Sequence, residues 1–174
     1  MSLISWLGLG REPPTDERRE TVREIARRLE ALGPERGRFV ALFAFLLARV
    51  ANVDESVSPE ETEVMEGVVA AWGGLPPAEA ALAVAIAKAQ SRMPGAEGRQ
   101  AVREFRGVSN HDQKVALLHC LFAVAAADEA VSGPEESVIE EIANDLLLTP
   151  PEFLGVRARY RERRAAAGEG PPDR

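Results

Sequence analysis

The chain has 174 residues, of which 45% are hydrophobic and 28% charged, with a formal net charge of −7. This composition describes one globular domain that can bury a proper core, and it excludes a disordered chain. The single cysteine, Cys120, excludes an internal disulfide framework and suits a reducing compartment, so we expect the protein to be cytoplasmic.

The acidic residues are concentrated in two blocks. Seven lie between Arg49 and Lys88 and eight between Lys114 and Arg157, and neither interval contains a basic residue. Such a surface repels nucleic acid and anionic lipid and attracts cations or basic partners, although it also suits solvated helix faces. No segment has the ~20 apolar residues needed to span a bilayer, so membrane association is at most peripheral, through residues 1–9.

The first half of the chain predicts four helices. The first ends at Gly33, and the second has the broadest apolar face. The third runs from Ser58 to Gly73, and the fourth opens at Pro76 and ends near 93–95. Apolar residues at helical spacing define the first two: Val22, Ile25, Leu29 and Leu32, then Phe39, Leu42, Phe43, Leu46, Leu47, Val50 and Val53.

The second half predicts the remaining helices. One over about 96–106 is followed by a helix that Ser109 should cap. Ser132 starts the next, and the capping box formed by Thr149 and Glu152 starts the last, which ends near Arg164. No alternating β-branched run predicts a strand.

The predicted fold class is therefore all-α, a single bundle of seven to eight helices. We expect residues 15–165 to form this helical domain. Residues 1–14 should be a loosely ordered N-terminal segment, and residues 166–174 a disordered tail.

One stretch of sequence occurs twice, 74 residues apart. Residues 54–61, DESVSPEE, return as residues 128–135, DEAVSGPE, without a gap. A repeat of this length is a copied supersecondary unit. We therefore expect an internal two-fold pseudo-repeat that relates residues of about 38–91 to residues of about 112–165.

The repeated stretch has two interpretations. In each copy a serine and a glutamate three residues later form a capping box, which needs no ligand. The aspartate that begins each copy lies at the end of an apolar helix, where the helix dipole disfavours negative charge, so a cation or nearby N–H groups should compensate. An EF-hand is excluded, because its twelfth position is Met65 in one copy and Ile139 in the other.

A core helix ending in Ala-x-x-Asp, followed by x-x-Val-Ser-x-x-Glu at a helix start, resembles the TerB-like family. That family includes tellurite-resistance protein B and the N-terminal domain of DjlA-type co-chaperones. The resemblance covers about residues 36–165 and implies an all-α bundle, an acidic surface that binds divalent metal, and a role in bacterial stress responses. Where the family commonly has glycine after the aspartate, this chain has Glu55 and Glu129. The metal ligands that the motif implies are Asp54, Glu61, Asp128 and Glu135.

Oxygen ligands of this kind suit Ca²⁺, Mg²⁺ or Mn²⁺, and we expect no other cofactor. The chain has no nucleophile elbow, phosphate-binding glycine loop or dinucleotide fingerprint, so we expect no enzyme activity. His119 and Cys120 point to different helix faces and should be packing residues, which disfavours a zinc site. The basic last helix is either solvated or meets an acidic block of its own or another copy.

The sequence thus favours a non-enzymatic acidic helical module. This module would bind a divalent cation, a basic protein partner, or both. The alternative is a metal-free interaction or scaffold domain whose acidic turns are only helix caps, with self-association as a further option.

Overall fold

The computed structural model describes residues 16–50, 58–90, 96–126, 131 and 133–168, with the backbone alone at 17–19, 61, 96–97 and 161–168. These residues form eight α-helices and no strand, so the predicted all-α fold is confirmed. None of the eight helices is both long and apolar enough to cross a bilayer. In chain order they are α1 Asp16–Ala31, α2 Pro34–Val50, α3 Pro59–Gly73, α4 Pro77–Ala89, α5 Ala96–Val108, α6 His111–Ala125, α7 Gly133–Asp145 and α8 Pro150–Gly168.

Helix α2 is the centre of the bundle. Every residue from Phe39 to Leu47 is buried, and the helix packs against α1, α4, α5, α6 and α7. A helix that is apolar all round is stable only when it is surrounded in this way. Phe39 also stacks on Phe105 of α5, with 5.3 Å between the ring centroids, so α5 is fixed against the centre by aromatic packing.

A tight turn folds α1 back onto α2. Gly33 has φ +80, the left-handed conformation that commonly ends a helix, and Pro34 starts the next one. Three residues further on, a Cβ at Gly37 would lie 2.7 Å from the Leu29 carbonyl oxygen. Glycine at position 37 therefore allows the two helices to approach closely.

The start of α6 corrects one prediction. Ser109 does not cap this helix, because its hydroxyl donates to the Phe105 carbonyl at the end of α5. The cap is Asn110, whose Oδ1 accepts from the Gln113 N–H while Gln113 Oε1 accepts from the Asn110 N–H, both at 2.8 Å. An Asn-x-x-Gln box satisfies two N–H groups that a serine one residue earlier cannot reach.

Other helix ends lie close to their predicted positions. Helix α3 ends at Gly73 as predicted, whereas α4 ends at Ala89, short of the predicted 93–95. The backbone of α8 continues to Gly168, beyond the predicted end near Arg164. Residues 1–14 and 169–174, which include most of the predicted tail, lie outside the described residues.

The duplicated segments contain three helices each, in the same order. Helices α3 and α7 begin at Pro59 and Gly133, which are 74 residues apart. Their packing differs, because α3 packs along α4 and α6, whereas α7 packs on α5 and α6. Superposition of residues 38–91 on 112–165 stays a prediction.

Candidate functional site

The first acidic turn leads into α3. Of its two predicted ligands, Asp54 lies outside the described residues and Glu61 is described by its backbone alone, in the first turn of α3. In that turn the Thr62 hydroxyl donates to the Ser58 carbonyl at 2.8 Å. Lys88 Nζ, from the last turn of α4, donates to Thr62 Oγ1 at 2.9 Å. An ammonium group therefore lies beside the first turn of α3.

The second acidic turn leads into α7. Its predicted ligand Asp128 lies outside the described residues, and Glu135 lies half-buried in the first turn of the helix. The neighbouring Glu136 forms an ion pair with Arg157 of α8. Of the two alternatives left open for the basic last helix, contact with an acidic block of its own chain is seen at Arg157.

The two acidic turns have a similar contact at equivalent positions of the repeat. Thr62 and Glu136 are 74 residues apart, and each is contacted by a basic side chain from the third helix of its own half. Among the described residues no group of three or more His, Cys, Asp or Glu side chains could hold a metal ion. Because both aspartates fall outside those residues, the four-residue ligand set stays a prediction, as do the serine capping boxes of both turns.

A groove of about 600 Å³ lies elsewhere, between α6 and α8. Its floor is mostly apolar, its rim is charged, and it contains both histidines of the chain. The residues that line it are Trp72, His111, Asp112, Val115, Ala116, His119, Glu152, Gly155, Val156 and Arg159. The sequence analysis did not predict this groove.

The two helices that form the walls of the groove, α6 and α8, are parallel to each other. At one end His111 Nε2 lies 2.8 Å from Glu152 Oε1, which joins the first turns of α6 and α8. Eight residues further along each helix, the His119 ring packs 6.1 Å from the Tyr160 ring. Because the second contact lies eight residues after the first contact in both helices, α6 and α8 run in the same direction. Trp72, stacked on His119 with 5.5 Å between centroids, closes the other end.

Hydrogen bonds hold Glu152 ionised at the open end of the groove. Its Oε2 accepts from the Thr149 hydroxyl and from the Thr149 N–H, both at 2.7 Å. These two bonds, followed by the proximity of His111, lower the pKa of Glu152 below its ordinary value of 4.5. One half of the predicted capping box is therefore present, because Glu152 accepts from the Thr149 N–H, whereas the Thr149 hydroxyl donates to the same carboxylate.

Cys120 is a core residue, as predicted. It is fully buried, and desolvation raises the pKa of its thiol to about 12. A thiol of this kind stays protonated at neutral pH. His119, its neighbour, packs in the aromatic groove wall, as a packing residue should.

The duplication contains the signal that could have revealed the groove. Two positions of the groove face hold a large apolar residue in the first copy and a smaller or more polar one in the second. Phe45 is replaced by His119, and Leu42 by Ala116. Such replacements indicate that this face has different surroundings in the two halves.

A family model described as tellurite resistance protein TerB matches residues 40–158, which is more than half of the chain. The matched region runs from α2 into α8 and includes both acidic turns and every groove residue except Arg159. A search of curated proteins and a search of solved structures each found no match.

Proposed function

This chain belongs to the family of tellurite resistance protein TerB, and we propose that it is a non-enzymatic module that binds a divalent cation through its two acidic turns. The turns are residues 54–61 and 128–135, and the ligands are Asp54, Glu61, Asp128 and Glu135. We place its action in the cytoplasm, as part of a bacterial stress response.

The observation that carries this proposal is the exact repetition of the Asp-to-Glu spacing within the family match. Each aspartate follows a buried helix, α2 or α6, whose C-terminal carbonyls disfavour an uncompensated carboxylate. A cation would satisfy the carbonyl dipoles and the carboxylates together. Because all four ligands are carboxylates, Ca²⁺, Mg²⁺ and Mn²⁺ are favoured over thiophilic ions.

The test is calorimetry together with thermal unfolding in millimolar Ca²⁺, Mg²⁺ or Mn²⁺. A cation at one hundred times its Kd would stabilise the fold by about 2.7 kcal/mol. We expect the double variant Asp54→Asn, Asp128→Asn to lose both the binding heat and this stabilisation. The matched control is Asp112→Asn with Asp145→Asn, which removes the same charge elsewhere and should retain both. An equally flat response from wild type and double variant would refute cation binding.

A second candidate function is a metal-free interaction module. It is supported by Lys88 at Thr62 and Arg157 at Glu136, because a basic side chain already lies at the start of each acidic helix. In this case the turns act as helix caps and as docking faces for a basic partner. The same experiment separates the two, because the double variant would then be destabilised in chelator while no cation shifts the wild type.

A further inference from the structure

An ion pair joins the acidic turn of residues 128–135 to α8. Arg157, in the first half of α8, contacts the Glu136 carboxylate in the first turn of α7. The two side chains are 26% and 24% exposed, so water screens this pair less than it screens the exposed ion pair between Arg23 and Glu20 on α1. Arg157 therefore ties α8 to the helix that follows the second acidic turn.

The same helix contacts the end of α3 one turn further on. Tyr160 lies three residues after Arg157, and residues three apart lie on the same side of a helix. The Tyr160 ring packs on Trp72 with 6.1 Å between centroids, and it stacks on Phe122 of α6 at 5.8 Å. A displacement of α8 at Arg157 would therefore change the surroundings of Trp72.

Helix α8 is held differently from α4, its counterpart in the first half. Helix α4 packs on α1, α2 and α3, whereas among the described helices only α6 packs extensively on α8. Two polar contacts add to that packing: Arg157 with Glu136, and Glu152 with His111. Charges at the starts of α6 and α7 thus contribute to the position of α8.

We propose that cation binding at the turn of residues 128–135 is coupled to the position of α8 through the ion pair between Glu136 and Arg157. A divalent cation at this turn repels the Arg157 guanidinium and competes with it for the Glu136 carboxylate. The pair then opens, α8 shifts at Tyr160, and the packing of Trp72 changes. This inference rests on the proposed cation binding and adds its regulation, because the arginine of the chain itself occupies the acidic helix start until a cation binds.

The test uses the full chain with Trp6→Phe, so that Trp72 is the only tryptophan. Calorimetry measures the binding of Ca²⁺, Mg²⁺ and Mn²⁺, and the wavelength of maximum fluorescence emission reports the surroundings of Trp72. We expect each cation that binds to shift this wavelength to the red, with its midpoint at the calorimetric Kd, because Trp72 loses ring contact with Tyr160. The wavelength is measured because Mn²⁺ can quench the intensity without any change in packing.

Two variants open the ion pair from either side. Arg157→Met should emit at the shifted wavelength without cation and show no further shift when a cation binds. Because coupling is reciprocal, the same variant should bind the cation at least about fivefold more tightly. Glu136→Gln should also emit at the shifted wavelength without cation. The control is Arg23→Met, which removes an arginine from the exposed ion pair on α1 and should behave as the parent protein does.

The outcomes separate the coupling from the cation binding on which it rests. Binding heat without an emission shift would overturn the coupling and leave cation binding intact, and so would a shift that survives Arg157→Met. Asp54→Asn should retain the shift and Asp128→Asn should lose it. The opposite result would assign the shift to the first acidic turn and overturn the coupling. Absence of binding heat for all three cations would remove the cation site and the coupling together.

Discussion

Lys88 Nζ donates a hydrogen bond to Thr62 Oγ1 over 2.9 Å and so joins the last turn of α4 to the first turn of α3. The Thr62 hydroxyl in turn donates a hydrogen bond to the Ser58 carbonyl. The chain thereby supplies its own cation at the start of an acidic helix. Arg157 does the same at Glu136 in the second half. A divalent ion bound at either turn would therefore lie close to a positively charged side chain.

Lys88→Met should therefore strengthen divalent cation binding. Removal of a neighbouring positive charge relieves repulsion of roughly 1 kcal/mol near a protein surface, which corresponds to about a fivefold lower Kd. Calorimetry with Mn²⁺ or Ca²⁺ measures this directly. Lys114→Met, which replaces the only other lysine, is the control and should leave Kd unchanged. An unchanged Kd for Lys88→Met would place the cation away from the first turn.

Leu47→Ala and Leu121→Ala should each lower the free energy of unfolding by about 2–5 kcal/mol. Both leucines are fully buried, one in α2 and the other at the same register position in α6. Denaturant unfolding gives the midpoint and slope for each variant. Val64→Ala, at a position 60% exposed, should change stability by less than about 0.5 kcal/mol. Unchanged midpoints for both leucine variants would contradict the assignment of the core.

Asn110→Ala should destabilise the protein by about 1 kcal/mol, because it removes the side chain that caps α6. Ser109→Ala is a neighbouring control, and it should cost less because the Ser109 hydroxyl only adds a bond to the Phe105 carbonyl. Thermal unfolding of the two variants provides the comparison. If Ser109→Ala were the more damaging change, the assignment of the cap would be reversed.

Much of the fold could be predicted because apolar periodicity fixes helices locally. The continuous apolar run from Phe39 to Leu47 identifies a central helix, and the 74-residue register places Leu121 and Cys120 in the core with it. Proline and glycine at helix ends fix boundaries such as that at Gly73. The error at Ser109 arose because two adjacent residues can both cap a helix, and only the backbone geometry selects Asn110.

The groove could not be predicted by the same reasoning. It depends on how three helices, α3, α6 and α8, lie in space, and periodicity within one helix contains no such information. Trp72 and His119 are distant in sequence, and their stacking follows from the packing of α3 on α6. Similarly, nothing in the sequence indicates that α5 packs on α2 and α7 and contributes no residue to the lining of the groove.

Glu152→Gln should destabilise the protein in a pH-dependent way. Because the pKa of Glu152 is lowered in the folded state, ionisation of this carboxyl stabilises the fold at pH values above its ordinary value of 4.5. That stabilisation is lost as the pH falls through the lowered pKa. The unfolding midpoint of Glu152→Gln should therefore lie below that of wild type at pH 7, and the difference should shrink as the pH falls through the lowered pKa. Glu63→Gln, on the exposed face of α3, removes the same charge without the Thr149 hydrogen bonds. A difference that stays constant down to the acid limit of the folded state would show that the glutamate acts through packing instead of charge.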